Sequence, residues 1–521
     1  MADETGHHAA SHRRDPIKSS VHELAAHRRR QHAVTVGKER REVLVRAKRL
    51  CRDGVVDDNV AYLDGSMMID EEKAAADAET SRTVEELKSV MVHLGKGGAR
   101  KKIDVLRDLR RLLSKSEIPP AEAAVQAGAV PVLVQCLSFG SPEEQLLEAA
   151  WCLTNIAAGE PEQTRSLLPA LPLLIAHLGE KSSVPVAEQC AWALGNVAGE
   201  GEDLRNTLLA QGVLFPLARM MMSNKGSTAR TAAWTLSNLI KGPNHNAANE
   251  LIRIDGAMDA ILRHLRKADE ELATEVAWVV VYLSALSHIA TGILVKSAVV
   301  QLLVERLEAS ENLQLLIPAL RSLGNLVAGD SHTTNAILVA GREITDNVLL
   351  VIIKCLKNEH RVLKKEAAWV LSNIAAGSLE HKQLIYASEA TPLLLHLLSN
   401  SPFDIRKEVA YTLGNLCVTP SDGYGPPNIV LHHLVELVNR GCLPGFVTLV
   451  RSPDIEAAKL GLQFLELVMR GLPNGEGPKL VEREDGIDAM ERFQFHENEE
   501  LRNMANGLVD KYFGEDYGLD D

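Results

Sequence analysis

The chain has 521 residues, of which 46% are apolar and 4% aromatic, and its formal net charge is −13. This apolar content is ample for a core, and seven cysteines without a CxxC pair argue against a disulfide framework and against a metal or redox site. No run of about 18 apolar residues occurs and the N-terminus is polar, so neither a membrane span nor a secretory signal is expected.

The first 52 residues form a basic arm that contains 13 lysines and arginines and 6 acidic residues. Apolar residues recur at helical spacing between Val34 and Leu50, which predicts a basic helix. Such a helix can contact a membrane, a nucleic acid or an acidic protein groove. Its apolar stripe is short and residues 13–52 contain no aromatic residue, so we favour the protein groove over membrane insertion or direct nucleic-acid binding.

Composition divides the rest of the chain into three parts. Residues 53–83 are acidic, lack a sustained helical period, and are predicted to be a flexible linker. Helical patterning then continues over residues 84–513, and an acidic tail follows at 514–521. Within the helical part, a Gly-x-x-Pro element such as that in residues 127–137 predicts the turn between the short helices and the long helix of a repeat.

One pattern recurs seven times along the helical part, in copies such as AAWCLTN, AWALGN and AAWVLSN. Successive copies are 41, 42, 44, 43, 48 and 42 residues apart, a period typical of HEAT or armadillo helical repeats. All five tryptophans occupy one position of this pattern. We call that position the ladder, and its residues are Trp151, Trp192, Trp234, Trp278, Arg321, Trp369 and Tyr411. Four residues after each stands Asn155, Asn196, Asn238, Tyr282, Asn325, Asn373 or Asn415.

On a helix, residues four apart share a face, and leucines supply the opposite face, so the Trp–Asn face is predicted to point away from the core. Asparagine amides could clamp the backbone of an extended peptide, and slots between neighbouring indoles could hold aliphatic chains that carry cations. Three residues before the ladder stand Glu148, Glu275, Glu366 and Glu408. Two interpretations remain open: the ladder binds a basic peptide, or it only packs and links the repeats.

The sequence offers no catalytic or metal-binding constellation and implies no cofactor. The glycine-rich stretches LGKGGARKK and NGEGPK lack the spacing of a phosphate-binding loop, and neither follows a strand. We therefore expect a protein that is not an enzyme.

Taken together, WCLTN, WALGN, WTLSN, the interrupted VVYLS and ALRSLGN copies, WVLSN and the basic arm with its RRR run resemble the importin alpha family, and most closely its plant members. The resemblance implies an all-α, right-handed armadillo-repeat solenoid of about ten repeats with a mostly disordered N-terminal arm. It implies a nuclear import adaptor that shuttles between cytoplasm and nucleus. Its partners would be cargo proteins with basic nuclear localisation signals, importin beta on the arm, and a nuclear export receptor at the C-terminal repeats.

The resemblance also assigns residues to three sites. The major signal-binding site would comprise Trp151, Asn155, Thr164, Trp192, Asn196, Glu200, Trp234 and Asn238. The minor site would comprise Arg321, Asn325, Glu366, Trp369, Asn373, Glu408, Tyr411 and Asn415. Importin beta would contact Arg13, Arg14, Lys18, Arg28, Arg29, Arg30, Lys38, Arg40, Arg41, Arg46, Lys48 and Arg49.

The chain departs from the family pattern in two places. Tyr411 stands where the minor site usually has tryptophan, and the basic run RAKRLCR at residues 46–52 is short, which predicts weak competition of the arm for the groove. The alternative functions are a general armadillo scaffold of adhesion or signalling and a ubiquitin-ligase subunit. The arm and the ladder argue against the first, and the lack of a RING- or U-box-like segment before residue 84 argues against the second.

Overall fold

The computed structural model describes residues 66–92, 98–115, 119–242, 245–329, 331–339, 348–418 and 427–514. All regular secondary structure in these ranges is helical, so the predicted all-α fold is confirmed. The basic arm lies outside the described residues. The described residues divide into two compact units, one ending at Leu302 and the other beginning at Leu303.

The first unit contains fifteen helices in the described ranges, with a 3₁₀ turn at Leu168–Ala170. They are α1 Ser66–Val92, α2 Gly98–Lys115, α3 Ala121–Gln126, α4 Ala129–Cys136, α5 Glu143–Ala157, α6 Pro161–Arg165, α7 Leu171–Ala176, α8 Val184–Glu200, α9 Glu202–Ala210, α10 Leu214–Met221, α11 Gly226–Ile240, α12 His245–Leu251, α13 Ala257–Arg266, α14 Glu270–Leu286 and α15 His288–Lys296. Helix α16, Val299–Ala309, spans the division between the units.

The second unit continues with thirteen helices in the described ranges and a 3₁₀ turn at Pro473–Gly475. They are α17 Leu313–Val327, α18 Ser331–Val339, α19 Val348–Lys357, α20 Arg361–Ala375, α21 Leu379–Tyr386, α22 Ala390–Asn400, α23 Phe403–Leu416, α24 Pro427–Asn439, α25 Leu443–Val450, α26 Ile455–Gly471, α27 Glu476–Arg483, α28 Gly486–Glu491 and α29 Glu499–Phe513. In both units, shorter helices alternate with long ones that carry the ladder.

The predicted boundary of the linker is wrong. Residues 66–83 belong to α1, and Thr80 near the middle of that helix is fully buried together with Val84 and Leu87. The stretch KAAADAETS is rich in alanine, which has the highest intrinsic helix propensity. Its apolar residues do not form a stripe, so hydrophobic periodicity does not reveal this helix.

The glycine turns are present, but they lie between the two short helices of a repeat and not between the short helices and the long one, so the predicted place of the turn is wrong. Gly128, Gly212 and Gly256 each precede a middle helix of the first unit, and Gly441 does so in the second. Their φ angles of 79°, 79°, 80° and 84° lie in the left-handed region. Glycine adopts this region without a steric penalty because it has no Cβ. Each glycine lets the chain reverse tightly from the first short helix into the next.

Leucine and alanine fill the interior, as the sequence predicted. Leu153, Leu194 and Leu236, each two residues after a ladder tryptophan, are fully buried. The six cysteines in the described ranges are free and buried, and burial raises the pKa of the Cys136 thiol to about 11. A thiol with such a pKa is a core residue and not a reactive one.

Among the described helices, none is by itself long and apolar enough to cross a membrane. The bent pair α15 and α16 passes the same test of length and composition when its two helices are taken together.

Candidate functional site

Each ladder residue lies within a long helix, one turn before its asparagine or tyrosine. Helices α5, α8, α11 and α14 carry Trp151 to Trp278 in the first unit, and α17, α20 and α23 carry Arg321 to Tyr411 in the second. Adjacent ladder helices pack against one another inside each unit. The ladder residues that recur in the sequence therefore lie on neighbouring helices within each unit. We call the ladder residues of the first unit the first run and those of the second unit the second run. One ladder residue together with the residue four positions later is called a rung.

The asparagines do not stand open on a free face. Asn196 is 1% exposed, and its Nδ2 donates to Thr154 O of the preceding ladder helix at 3.1 Å. Asn238 Nδ2 donates in the same way to Gly195 O at 3.1 Å. The second unit repeats the arrangement, with Asn373 donating to Gly324 O and Asn415 to Ser372 O. These amides are buried and link successive repeats, so the prediction that the Trp–Asn face points away from the core is wrong for its asparagines.

The reason is geometric. Helical periodicity gives the direction of a side chain around its own axis, whereas the stacked neighbour helix covers one flank of the ladder face. An asparagine amide on that flank donates to a backbone carbonyl of the neighbouring ladder helix instead of to water. The other end of the Asn196 amide is different, because Oδ1 is buried and has no hydrogen-bond partner among the described residues.

The ladder rings are partly covered as well. Trp151 and Trp192 are half-buried, while Trp234, Trp278 and Trp369 are buried. The indoles of Trp192 and Trp234 meet edge to face, with ring centroids 6.2 Å apart and an interplanar angle of 69°. The sequence predicted an open slot between these two rings, and in this conformation the rings contact each other there.

Two glycines make room for ladder indoles. A Cβ built at Gly195 would overlap the Trp234 indole, and a Cβ built at Gly324 would overlap the Trp369 indole. Each glycine stands just before the asparagine of one ladder helix and lies under the tryptophan of the next. The glycine in the AWALGN copy therefore belongs to the packing of the following rung.

The glutamates three residues before the ladder are buried, and both Glu148 and Glu366 accept hydrogen bonds from an arginine. Glu148 Oε2 accepts from Arg110 Nε at 2.6 Å, and Glu148 Oε1 lies 3.6 Å from Arg107 Nε. Glu366 Oε2 accepts from Arg321 Nε at 3.1 Å, and its other oxygen accepts from Arg321 Nη2. Glu275 and Glu408 are also buried.

Arg110 is a ladder residue that the sequence analysis missed. It lies in α2, 41 residues before Trp151, and Ser114, four residues later, accepts from Asn155 Nδ2 at 2.9 Å. The Arg110 guanidinium lies over the Trp151 ring, 4.5 Å from its centroid. The α2 copy has neither the tryptophan nor the asparagine of the pattern, whereas each of the other copies keeps at least one of the two, so only the repeat period indicates this position.

The two remaining candidates of the major site lie at or just beyond the C-termini of ladder helices. Thr164 is fully buried, and its hydroxyl donates to Ala157 O at the end of α5 at 3.0 Å. Glu200 is the last residue of α8 and is half-buried. The buried Lys241 ammonium lies 3.4 Å from the neighbouring Gly199 O. The C-terminus of a helix carries a partial negative charge, and a carboxylate there adds to it. The two together favour a nearby cation.

The basic residues predicted to contact importin beta, Arg13 to Arg49, lie outside the described residues. Of the three predicted sites, the structure describes the two signal-binding ones, whose ladder positions lie on adjacent helices within each unit.

Comparisons with known proteins agree with the repeat architecture. The Armadillo/beta-catenin-like repeat family matches residues 118–158 and 378–418, and a HEAT-like repeat matches residues 143–197. The crystal structure of an engineered protein superposes with a TM-score of 0.69 at 24% identity, covering 82% of this chain and 98% of that one. That likeness concerns the fold alone.

Relatives with established names match along nearly the whole length. The chain is 68% identical over 514 residues to importin subunit alpha-9 of Arabidopsis thaliana, covering 98% of this chain and 99% of the relative. It is 64% identical over 511 residues to importin subunit alpha-2 of Oryza sativa subsp. japonica, covering 98% and 97%. Importin subunit alpha-1b of the same rice is 31% identical over 432 residues, covering 80% and 76%.

Proposed function

Because this chain belongs to the importin subunit alpha family of nuclear import adaptors, we propose that its ladder holds the basic nuclear localisation signals of cargo proteins. The first run would form the major site, with Trp151, Trp192 and Trp234, and the second run the minor site, with Trp369 and Tyr411.

One observation carries this assignment: the chain holds a cation of its own in the arrangement that a bound signal would need. The Arg110 guanidinium lies on the Trp151 indole while its Nε donates to the buried Glu148 carboxylate. An indole face and a buried acid three residues before it together attract a cation. The same pairing of aromatic ring and acid recurs at Trp278 with Glu275 and at Tyr411 with Glu408.

The backbone of a bound peptide would meet the asparagines. One Nδ2 hydrogen of Asn196 is engaged with Thr154 O, so the stacked repeats hold that amide in a fixed orientation. Its buried Oδ1 has no partner among the described residues, and a buried acceptor in that state costs about 1–3 kcal/mol. A peptide N–H delivered to Oδ1 would remove that cost. Because Oδ1 is buried, the side chains that cover it would have to move before a peptide could reach it.

The remaining assignments follow the family. The basic arm, residues 1–52, would bind importin beta, and the repeats over residues 453–513 would bind a nuclear export receptor. The protein would shuttle between cytoplasm and nucleus and act by binding, without catalysis. A general armadillo scaffold is the alternative, and it differs in the charge of the peptides that it binds.

The test compares Trp192→Ala with Phe215→Ala in affinity for a fluorescent lysine-rich peptide. Phe215 is 56% exposed at the start of α10 and lies outside the ladder, so it controls for loss of a surface aromatic ring. Loss of a cation–π contact of about 0.5–2 kcal/mol predicts weakening by about tenfold for Trp192→Ala and no change for Phe215→Ala. Glu200→Gln should weaken the same peptide.

A peptide of equal length with glutamate in place of lysine should not bind. If the basic and acidic peptides bind equally, the chain is a general scaffold. If Trp192→Ala and Phe215→Ala bind the lysine-rich peptide alike, the ladder is not its site.

A further inference from the structure

The first run of the ladder begins with an arginine. Arg110 occupies the ladder position of α2, and Ser114 occupies the position that asparagine holds in later repeats, since it accepts the Nδ2 hydrogen bond of Asn155. The run thus reads Arg110, Trp151, Trp192, Trp234 and Trp278.

The second run begins in the same way. Arg321 occupies the ladder position of α17 and precedes Trp369. Both arginines reach the glutamate three residues before the next ring: Arg110 Nε lies 2.6 Å from Glu148 Oε2, and Arg321 Nε lies 3.1 Å from Glu366 Oε2. The same arrangement therefore occurs in two separate parts of the chain: an arginine at the start of the run contacts the glutamate three residues before the first ladder tryptophan.

The charge that Arg110 supplies is well enclosed. The side chains of Arg110 and Glu148 are 17% and 11% exposed, and Arg107 Nε lies 3.6 Å from the other oxygen of the same carboxylate. A carboxylate that already receives one charge-assisted hydrogen bond and lies near a second guanidinium attracts a further cation weakly. The Arg110 guanidinium also covers the face of Trp151 that it contacts.

We propose that Arg110 is a built-in cation that closes the peptide groove at Trp151 and so limits how many basic residues the first run can read. The inference rests on the proposed function, because it needs a basic peptide in the groove. A peptide residue beyond Trp151 would find the indole face covered and Glu148 neutralised. Extra basic residues at that end of a signal would then add no affinity.

The experiment uses the full chain and three fluorescent peptides: a lysine-rich cluster, and the same cluster with one arginine added at its N-terminus or at its C-terminus. Alanine additions correct for length. In the wild type, neither arginine should tighten binding beyond its alanine control. In Arg110→Met, which removes the guanidinium and keeps much of the stem, one of the two arginines should tighten binding by about tenfold, since it can replace the Arg110 cation on the indole and at Glu148 Oε2.

A second variant guards against misfolding. Arg110→Met with Glu148→Gln leaves no uncompensated carboxylate, and the same added arginine should gain about threefold from the indole alone. Arg111→Met is the matched control, because Arg111 is the exposed neighbour, 56% exposed and 3.2 Å from Asp108. It changes the net charge equally and should behave as the wild type.

The outcomes separate the two ideas. If no form of the protein binds the unextended lysine-rich cluster, the proposed function is wrong. If the cluster binds but the wild type already gains from the added arginine, or if neither Arg110 variant gains, Arg110 does not close the groove. A gain of equal size in Arg111→Met would also overturn the proposal, because net charge would then explain it.

Discussion

Replacing Gly195 by alanine should destabilise the chain, although the same change inside a helix usually stabilises it. Gly195 lies in α8, and an added Cβ would overlap the Trp234 indole and lie 2.8 Å from Thr235 Oγ1. Alanine gains about 0.5–1 kcal/mol over glycine in a helix interior. An extra carbon forced into a packed contact costs about 1–3 kcal/mol. The net expectation is a loss of about 1 kcal/mol.

Gly414 provides a matched control. It stands just before Asn415 in α23, as Gly195 stands just before Asn196 in α8, and both glycines are buried. A Cβ at Gly414 would meet Leu460 Cδ1 at 3.8 Å, an ordinary contact, because no ladder indole follows it. Gly414→Ala should therefore gain the helix term of about 0.5–1 kcal/mol without an opposing cost.

The assay is thermal unfolding followed by circular dichroism, with tryptophan emission recorded in parallel. Repeat arrays can unfold in more than one step, so melting midpoints are compared and not extrapolated free energies. Gly195→Ala should melt below the wild type with an altered emission spectrum, and Gly414→Ala should melt above it. If both variants shift the midpoint upward by the same amount, the Trp234 indole does not pack on Gly195 and the account of the rung is wrong.

Three further predictions concern other parts of the chain. Deleting residues 1–52 should abolish importin beta binding in a pull-down, and retained binding would contradict this. The same deletion should tighten peptide binding by less than about tenfold, because the arm's last basic run is short and competes weakly for the groove. Arg321→Met should lower the midpoint of urea unfolding, because it breaks a buried ion pair, a change that typically costs about 3–5 kcal/mol. Arg321→Met with Glu366→Leu should restore most of the midpoint, and equal shifts in both variants would exclude the pair as the cause. Truncation after Arg451 should remove export-receptor binding and leave peptide binding intact, and loss of both would mean that the array needs its C-terminal repeats to fold.

Much of the fold could be predicted from the sequence because a repeat must present the same contacts to each neighbour. Leu153 and its equivalents recur for that reason, and so do glycines such as Gly128, whose left-handed φ angle recurs in the chain reversal. Helix α1 escaped prediction because alanine favours a helix without drawing an apolar stripe.

The ladder itself was predictable as a set of positions and less so as a set of environments. Periodicity placed Trp192 and Asn196 on one face, but it carries no information about which flank the next helix covers. Arg321 could be placed in the ladder because Asn325 follows it at the usual spacing, whereas Arg110 is followed by Ser114, so its copy carries neither residue of the pattern. Only the period of about 41 residues relates Arg110 to the ladder, and the structure shows that the two arginines occupy equivalent positions.

The two interpretations that the sequence left open are compatible, because they use different atoms of the same side chains. Stacking engages one Nδ2 hydrogen of Asn196 with Thr154 O and leaves Oδ1 without a partner among the described residues. The Trp192 ring meets Trp234 edge to face, and the residue as a whole stays half-buried. The hydrogen bond from Asn196 to the preceding ladder helix holds its amide in a fixed orientation before a peptide arrives. A side chain that is already ordered loses less conformational entropy when a peptide binds. Stacking is therefore what would prepare the ladder for recognition, and a substitution that loosens a rung should weaken peptide binding even where it removes no atom that touches the peptide.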